Sequence, residues 1–220
     1  MTSLSLKTPI FRYVILVFAL CYLISLPYRP YLGDFLVKVF PMLLILFLAI
    51  TQLSGKYRIL MAIGVLASCF GDVFLALPIT NSFLLGLGAF LIAQLVYAVT
   101  YFQTANWAQV THWRKMLVAV ILLFSILMAT YLLPDTGEMQ IPVAIYLAVV
   151  CSMGIAAFTS ALPNKVALGA LSFIVSDSIL AMSFFKTPLP MSDVLVMASY
   201  YLAQYLMVKG MIDYQGEQSA

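Results

Sequence analysis

Charge is scarce in this chain: of 220 residues only 9% are charged, against 64% hydrophobic. Soluble domains are about 45–50% apolar and about 25% charged, so a water-facing globule is excluded and the composition belongs in a membrane. Histidine is rarer still, with His112 alone. Zinc sites recruit several His or Cys ligands, so a multi-histidine metallohydrolase is disfavoured and no metal or cofactor is expected. The three cysteines, Cys21, Cys69 and Cys151, lie inside apolar segments and are odd in number, which argues against a disulfide framework. There is no G-x-S-x-G elbow, no phosphate-binding glycine loop and no N-x-S/T acceptor. A net charge of +3 is too modest to signal nucleic acid. Proline is absent from the centres of the long apolar segments. Pro9, Pro27, Pro30, Pro78, Pro134, Pro163, Pro188 and Pro190 fall at ends or in loops, and Pro41 and Pro142 in or near first turns, which predicts continuous helices.

What the chain has in abundance is long apolar runs. A helix needs about 20 apolar residues to cross a bilayer core of about 30 Å. Such segments cover approximately 11–27, 35–53, 58–77, 82–103, 114–133, 141–159, 164–185 and 191–209. The expected fold is all-α: a polytopic membrane protein, a bundle of eight transmembrane helices, with residues 1–220 forming a single integral membrane domain. Lys7 and Arg12 ahead of the first segment look like the front of a secretory signal, but the run is long and Pro27-Tyr28-Arg29-Pro30 is no small-residue cleavage site. A retained span is the better reading. With eight spans, one side holds Lys7, Arg12, Lys56, Arg58, Arg114, Lys115, Lys165 and Lys209, leaving Arg29, Lys38 and Lys186 for the other. The positive-inside rule then places both termini in the cytoplasm. The expected location is a bacterial inner membrane or an endoplasmic reticulum.

Two acidic residues interrupt the apolar runs: Asp72 in SCFGDVFLAL and Asp177 in VSDSILAM. An aspartate near a helix centre costs about 2.5–3.5 kcal/mol to insert, an expense that argues for a use. Gly64, Ala67, Ser68 and Gly71 form a small-residue face that lets helices approach closely, and Asp72 adjoins it, so it is expected to point inward. A weak internal echo, GDVFLAL followed by AQLVYAV and SDSILAM followed by AQYLMVK, suggests two parallel four-helix halves. Asp72 lies 14 residues after Arg58 and Asp177 lies 12 after Lys165, which puts both in the non-cytoplasmic half near one level. Lys38 enters from the same side as an ion-pair partner. Gln94, Tyr97, Tyr146, Tyr200, Tyr201 and Gln204 are candidates to line the same polar interior. Two carboxyls sharing such a cavity settle into one protonated and one ionised group, which is an acid–base pair.

KVFPML (Lys38 to Leu43), GD-x-x-L (Gly71 to Leu75), G-x-x-x-F-x-x-x-Q-x-x-Y (Gly86 to Tyr97), G-A-L-x-F-x-x-S-D-x-x-L-A (Gly169 to Ala181, with Ser176 beside Asp177) and YYLAQ (Tyr200 to Gln204) together resemble the YhhN-like transmembrane lysoplasmalogenases. The resemblance implies an eight-span enzyme that cleaves the vinyl ether of a lysoplasmalogen, a lysophospholipid, with water, releasing a fatty aldehyde and a glycerophospho-base. It carries the family's acidic positions onto Asp72 and Asp177 and its basic one onto Lys38. Gln94 is a departure, since many relatives have histidine there. Vinyl ethers hydrolyse after a proton reaches the β carbon, so the implied site is a neutral acid beside an anion. The rival readings are a transporter whose aspartates carry protons or a cation, and a non-catalytic scaffold held together by aspartate hydrogen bonds.

Overall fold

The computed structural model describes residues 8–187 and 189–218, so Lys7 and Pro188, named above, lie outside the described residues. Eight long helices follow one another: α1 (Thr8–Ser25), α2 (Asp34–Gln52), α3 (Gly55–Ala76), α4 (Ser82–Phe102), α5 (His112–Leu132), α6 (Gln140–Thr159), α7 (Asn164–Phe185) and α8 (Ser192–Gln218). Short turns join them. Among the described residues the only extended pairing is an isolated bridge between Ala105 and Ser160.

Seven of these helices are long and apolar enough to cross a membrane, and α8 is not among them. The expected eighth segment is present as a helix, but Gln204, Lys209, Asp213 and Glu217 dilute its hydropathy. It also runs nine residues past the expected end at 209. Its polar last turns are tied down by Asp213, which pairs with Lys209 one turn earlier on α8 and with Lys165 at the start of α7, the latter at 2.5 Å. Hydropathy marks where lipid ends, whereas helix propagation needs only backbone pairing and such i,i+4 support. Pro41 is a second difference. It stands well inside α2 rather than in its first turn, yet the helix continues unbroken to Gln52. Helices buried among neighbours tolerate proline because surrounding groups and small local adjustments absorb the lost hydrogen bond.

Helices adjacent in sequence pack on one another except α4 and α5; α4 packs instead on α6, and α2 also packs on α8. Thus α2, α3, α4, α6, α7 and α8 close a ring, with α1 lying against α2 and α8, and α5 against α6 and α7. The ring's interior holds Met42, Ile45, Met61, Val65, Met153 and Met207, all fully buried. Its outside is just as apolar, with Leu16, Leu43, Ile63, Leu123, Ile126 and Leu127 exposed, as expected of a surface solvated by lipid. Where lipid is the solvent, helices associate through close packing rather than through the hydrophobic effect. The glycines mark the closest approaches. A Cβ on Gly64 would lie 2.3 Å from the Tyr97 ring, and one on Gly169 would lie 2.9 Å from the Ala203 carbonyl oxygen.

Candidate active site

Asp72 stands in the final turns of α3, which ends at Ala76 because Pro78 biases Leu77 to an extended conformation. The small face of α3 decides its surroundings. Gly71 leaves room for Phe90 of α4, whose ring would sit 2.6 Å from any Cβ there, and Asp72 is turned into the bundle at 1% exposure. Lys38, one turn into α2 and also buried, places Nζ 3.2 Å from Asp72 Oδ1 and donates to the Asp72 carbonyl at 3.3 Å. From α8, Tyr200 donates its hydroxyl to Asp72 Oδ2 at 2.7 Å, and Tyr201 donates to the Lys38 carbonyl at 2.6 Å. A buried ion pair persists only when hydrogen bonds satisfy its remaining lone pairs, and Tyr200 supplies one.

Asp177, in the second half of α7, has different company. Its Oδ2 accepts a 2.7 Å hydrogen bond from Tyr146 of α6, and among the described residues no cation pairs with it. Ser176 beside it donates to the Val196 carbonyl at 2.9 Å, tying α7 to α8.

Both aspartates line one cavity of ≈ 220 Å³, at the end of the bundle where α1, α3 and α7 finish and α2, α4 and α8 begin. Lys38, Ser176 and Tyr200 line it as well. Phe83, Phe90, Leu75 and Asp177 also border a second, apolar recess of ≈ 50 Å³, reaching Tyr146, Val143, Leu147 and Met128 between α5 and α6. A polar chamber therefore adjoins a greasy slot, and Asp177 faces both.

Not every expected residue reaches this chamber. Tyr97 donates to Gln204 Oε1 at 2.7 Å, and Gln204 Nε2 donates to Ser68 Oγ at 2.9 Å. These three form a buried polar chain linking α3, α4 and α8, away from the cavity wall. Gln94 is fully buried close to Tyr146, yet neither atom of its amide attains hydrogen-bond geometry. Tyr201 presents its ring to an outer groove against α1 rather than to the cavity.

The chamber also recruits residues that the sequence pattern does not single out. Arg29, between α1 and α2, lines it, with Tyr22, Ser82 and Asp193. Gly33, at φ +81°, turns the chain into α2 so that Asp34 in the first turn of that helix lies 2.9 Å from Arg29 Nε. Burial opposes the Arg29 charge, but the hydrogen bond to Asp34 and the surrounding negative groups offset it and hold the guanidinium above its ordinary value. Arg29 sits in a loop of low hydropathy where a cation is unremarkable; the Pro27-Tyr28-Arg29-Pro30 punctuation is the one available signal. On α5, Arg114 does structural duty. It donates to the Ser160 and Leu162 carbonyls and to Asn164 Oδ1, stapling the start of α7, whereas Asp177 lies in that helix's second half.

Residues 33–211 match the YhhN family. The chain is 30% identical over 166 residues to a lysoplasmalogenase of Mycobacterium bovis, covering 74% of this chain and 64% of that protein. It is 33% identical over 179 residues to human lysoplasmalogenase TMEM86B and 32% over 177 residues to the pig protein of the same name, covering 78% of this chain and 72% of each. The chain thus spans slightly under two thirds of the mycobacterial relatives' length. No solved structure matches it.

Proposed function

The chain belongs to the YhhN family, and from that premise we propose that it is a lysoplasmalogenase, hydrolysing the vinyl ether of lysoplasmenylethanolamine or lysoplasmenylcholine by acid–base catalysis with Asp72 and Asp177. The observation that carries the reading is the meeting of two aspartates from distant helices on one cavity wall, one ion-paired and the other not.

Their unlike partners divide the work. Asp177, whose partner is the neutral Tyr146 hydroxyl, carries the proton and delivers it to the β carbon of the vinyl ether. The double bond's electrons form the new C–H bond, and the ether oxygen shares the resulting positive charge. Asp72, kept anionic by Lys38, stabilises this oxocarbenium ion and takes a proton from the water that attacks its carbon. The hemiacetal then collapses: Asp72 gives its proton to the departing glycerol oxygen and the hydroxyl proton passes to Asp177, which yields the aldehyde and the glycerophospho-base and restores both carboxyls to their starting states. Each such acid–base contribution is worth roughly 10²–10⁴ in rate. The apolar recess beside Asp177 suits the first carbons of the alkenyl chain. Lys38 positions Asp72, and Tyr200 and Tyr146 orient the two carboxyls.

The cavity lies at one end of the bundle, and the interior beyond it is filled by Tyr97, Gln204 and methionines, which favours hydrolysis over transport. In this reading α8 is the eighth span, the chain is one membrane domain with both termini in the cytoplasm, and the cavity opens to the other side. The two-halves proposal is supported by the packing order. The contact of α4 on α6 corresponds to that of α8 on α2, and each aspartate is met from the preceding helix, by Lys38 on α2 or Tyr146 on α6.

The test is aldehyde release by purified protein supplied with a lysoplasmalogen in detergent. Asp72→Asn and Asp177→Asn should each lower the rate by about 10²–10⁴ while eluting as folded protein in size exclusion. Full activity in both variants would remove the mechanism.

A further inference from the structure

Resting on the lysophospholipid reading above, we infer that Arg29 and Asp193 at the cavity mouth recognise the head group, Arg29 binding the phosphate and Asp193 the cationic amine. The cavity wall contains two cations, Lys38 and Arg29. Lys38 is committed. Its ammonium is held between the Asp72 carboxylate at 3.2 Å and the Asp72 carbonyl at 3.3 Å, and only 7% of the residue is exposed. Placing a phosphate on it would pull apart a buried pair.

Arg29 is differently placed. Its Nε donates to Asp34, while among the described residues its two terminal nitrogens have no hydrogen-bond partner, and 31% of its side chain is exposed. If the residue served only to hold Asp34, one donor of five would suffice. The planar fork that remains matches phosphate oxygens. Asp34 locks the side chain's stem, so little conformational freedom is left to lose on binding. Arg29 immediately follows the apolar span that ends at Tyr28, and Lys38 is four residues into α2 from Asp34, about 6 Å further along the helix. In the substrate the phosphate and the vinyl ether are separated by the glycerol carbons alone. A phosphate at Arg29 therefore sends the vinyl ether inward to the two aspartates and the alkenyl chain on into the apolar recess.

Asp193, in the first turn of α8, lines the same mouth, is exposed and makes no hydrogen bond or ion pair among the described residues. Its negative charge acts on Arg29. Together they present one positive and one negative group to a head group that carries one of each.

Binding separates this inference from the catalytic one. Saturated 1-O-alkyl lysophospholipids lack the double bond and cannot be cleaved by its protonation, so their affinity is readable whatever the turnover. Purified wild-type protein in detergent is titrated with the 1-O-alkyl lysophosphoethanolamine, its phosphate-only counterpart, and 1-O-alkylglycerol, which has no phosphate. The expected result is a preference of about 10- to 100-fold for the phosphorylated ligands over alkylglycerol, the worth of one charge-assisted phosphate contact. Arg29→Gln should erase most of that ratio, and Arg29→Lys should restore part. Asp193→Asn should reduce only the preference for phosphoethanolamine over bare phosphate. Inorganic phosphate should not compete at matched concentration. The inference is overturned if Arg29→Gln keeps the wild-type ratio, if wild type shows no preference, or if inorganic phosphate displaces the lipid equally well. Absence of aldehyde release by wild type would instead sink the hydrolase reading.

Discussion

Asp72 and Asp177 are the same residue type in similar apolar sequence, and their neighbours make them chemically different. Lys38 and Tyr200 surround the first, and among the described residues Tyr146 alone hydrogen-bonds the second. Removing one member of a buried pair leaves the other charge uncompensated, at a cost of about 3–5 kcal/mol, whereas replacing both is close to neutral. Lys38→Met should therefore lower the melting temperature markedly, and adding Asp72→Asn in the same chain should recover much of the loss without recovering aldehyde release. A double-mutant cycle in thermal unfolding and turnover reads both effects. If the double variant is no more stable than Lys38→Met, the pair is not coupled as the geometry requires. The aspartates and Lys38 were legible in the sequence because a charge in an apolar run is expensive and so conspicuous. Arg29 and Asp193 were not, because a charge in a polar loop or in the first turn of a helix costs little and does not stand out.

At the scale of elements, glycine determines which helices come close enough to share a site. Gly169 of α7 faces the backbone of α8, where a Cβ would lie 2.9 Å from both the Ala203 oxygen and the Met207 nitrogen. Backbone cannot rotate away as a side chain can. Gly169→Ala should destabilise by about 1–3 kcal/mol through overpacking. Gly88→Ala in α4, where nothing lies within 4 Å, should be stabilising by about 0.5–1 kcal/mol, since alanine loses less backbone freedom in a helix. Thermal unfolding of both in one detergent compares them, and equal shifts would contradict the close packing of α7 on α8. Helix positions were legible to within a few residues, since hydropathy and proline placement both report on them. The overrun of α8 and the central place of Pro41 in α2 were not, because backbone pairing and neighbouring helices override the local signal.

For the whole molecule, the proposed orientation rests on the distribution of basic residues. Arg12, Lys56, Arg58, Arg114, Lys115 and Lys165 fall near helix ends opposite the cavity, and Lys209 lies in the half of α8 remote from it. A protease-cleavable tag at the C-terminus should be protected in right-side-out vesicles and removed in inverted ones; the reverse pattern would turn the cavity toward the cytoplasm. The sequence by itself determined the membrane class, the eight helical segments and the inward turn of Asp72, because hydropathy and small-residue spacing are written along the chain. Only the tertiary structure decided that Lys38 serves Asp72 and not Asp177, that Tyr97 and Gln204 lie off the cavity, and that Arg29 stands at its mouth. Those facts depend on how each helix is rotated about its axis and which helix faces it, and that is settled by packing between segments far apart in sequence, which no periodicity within one segment encodes.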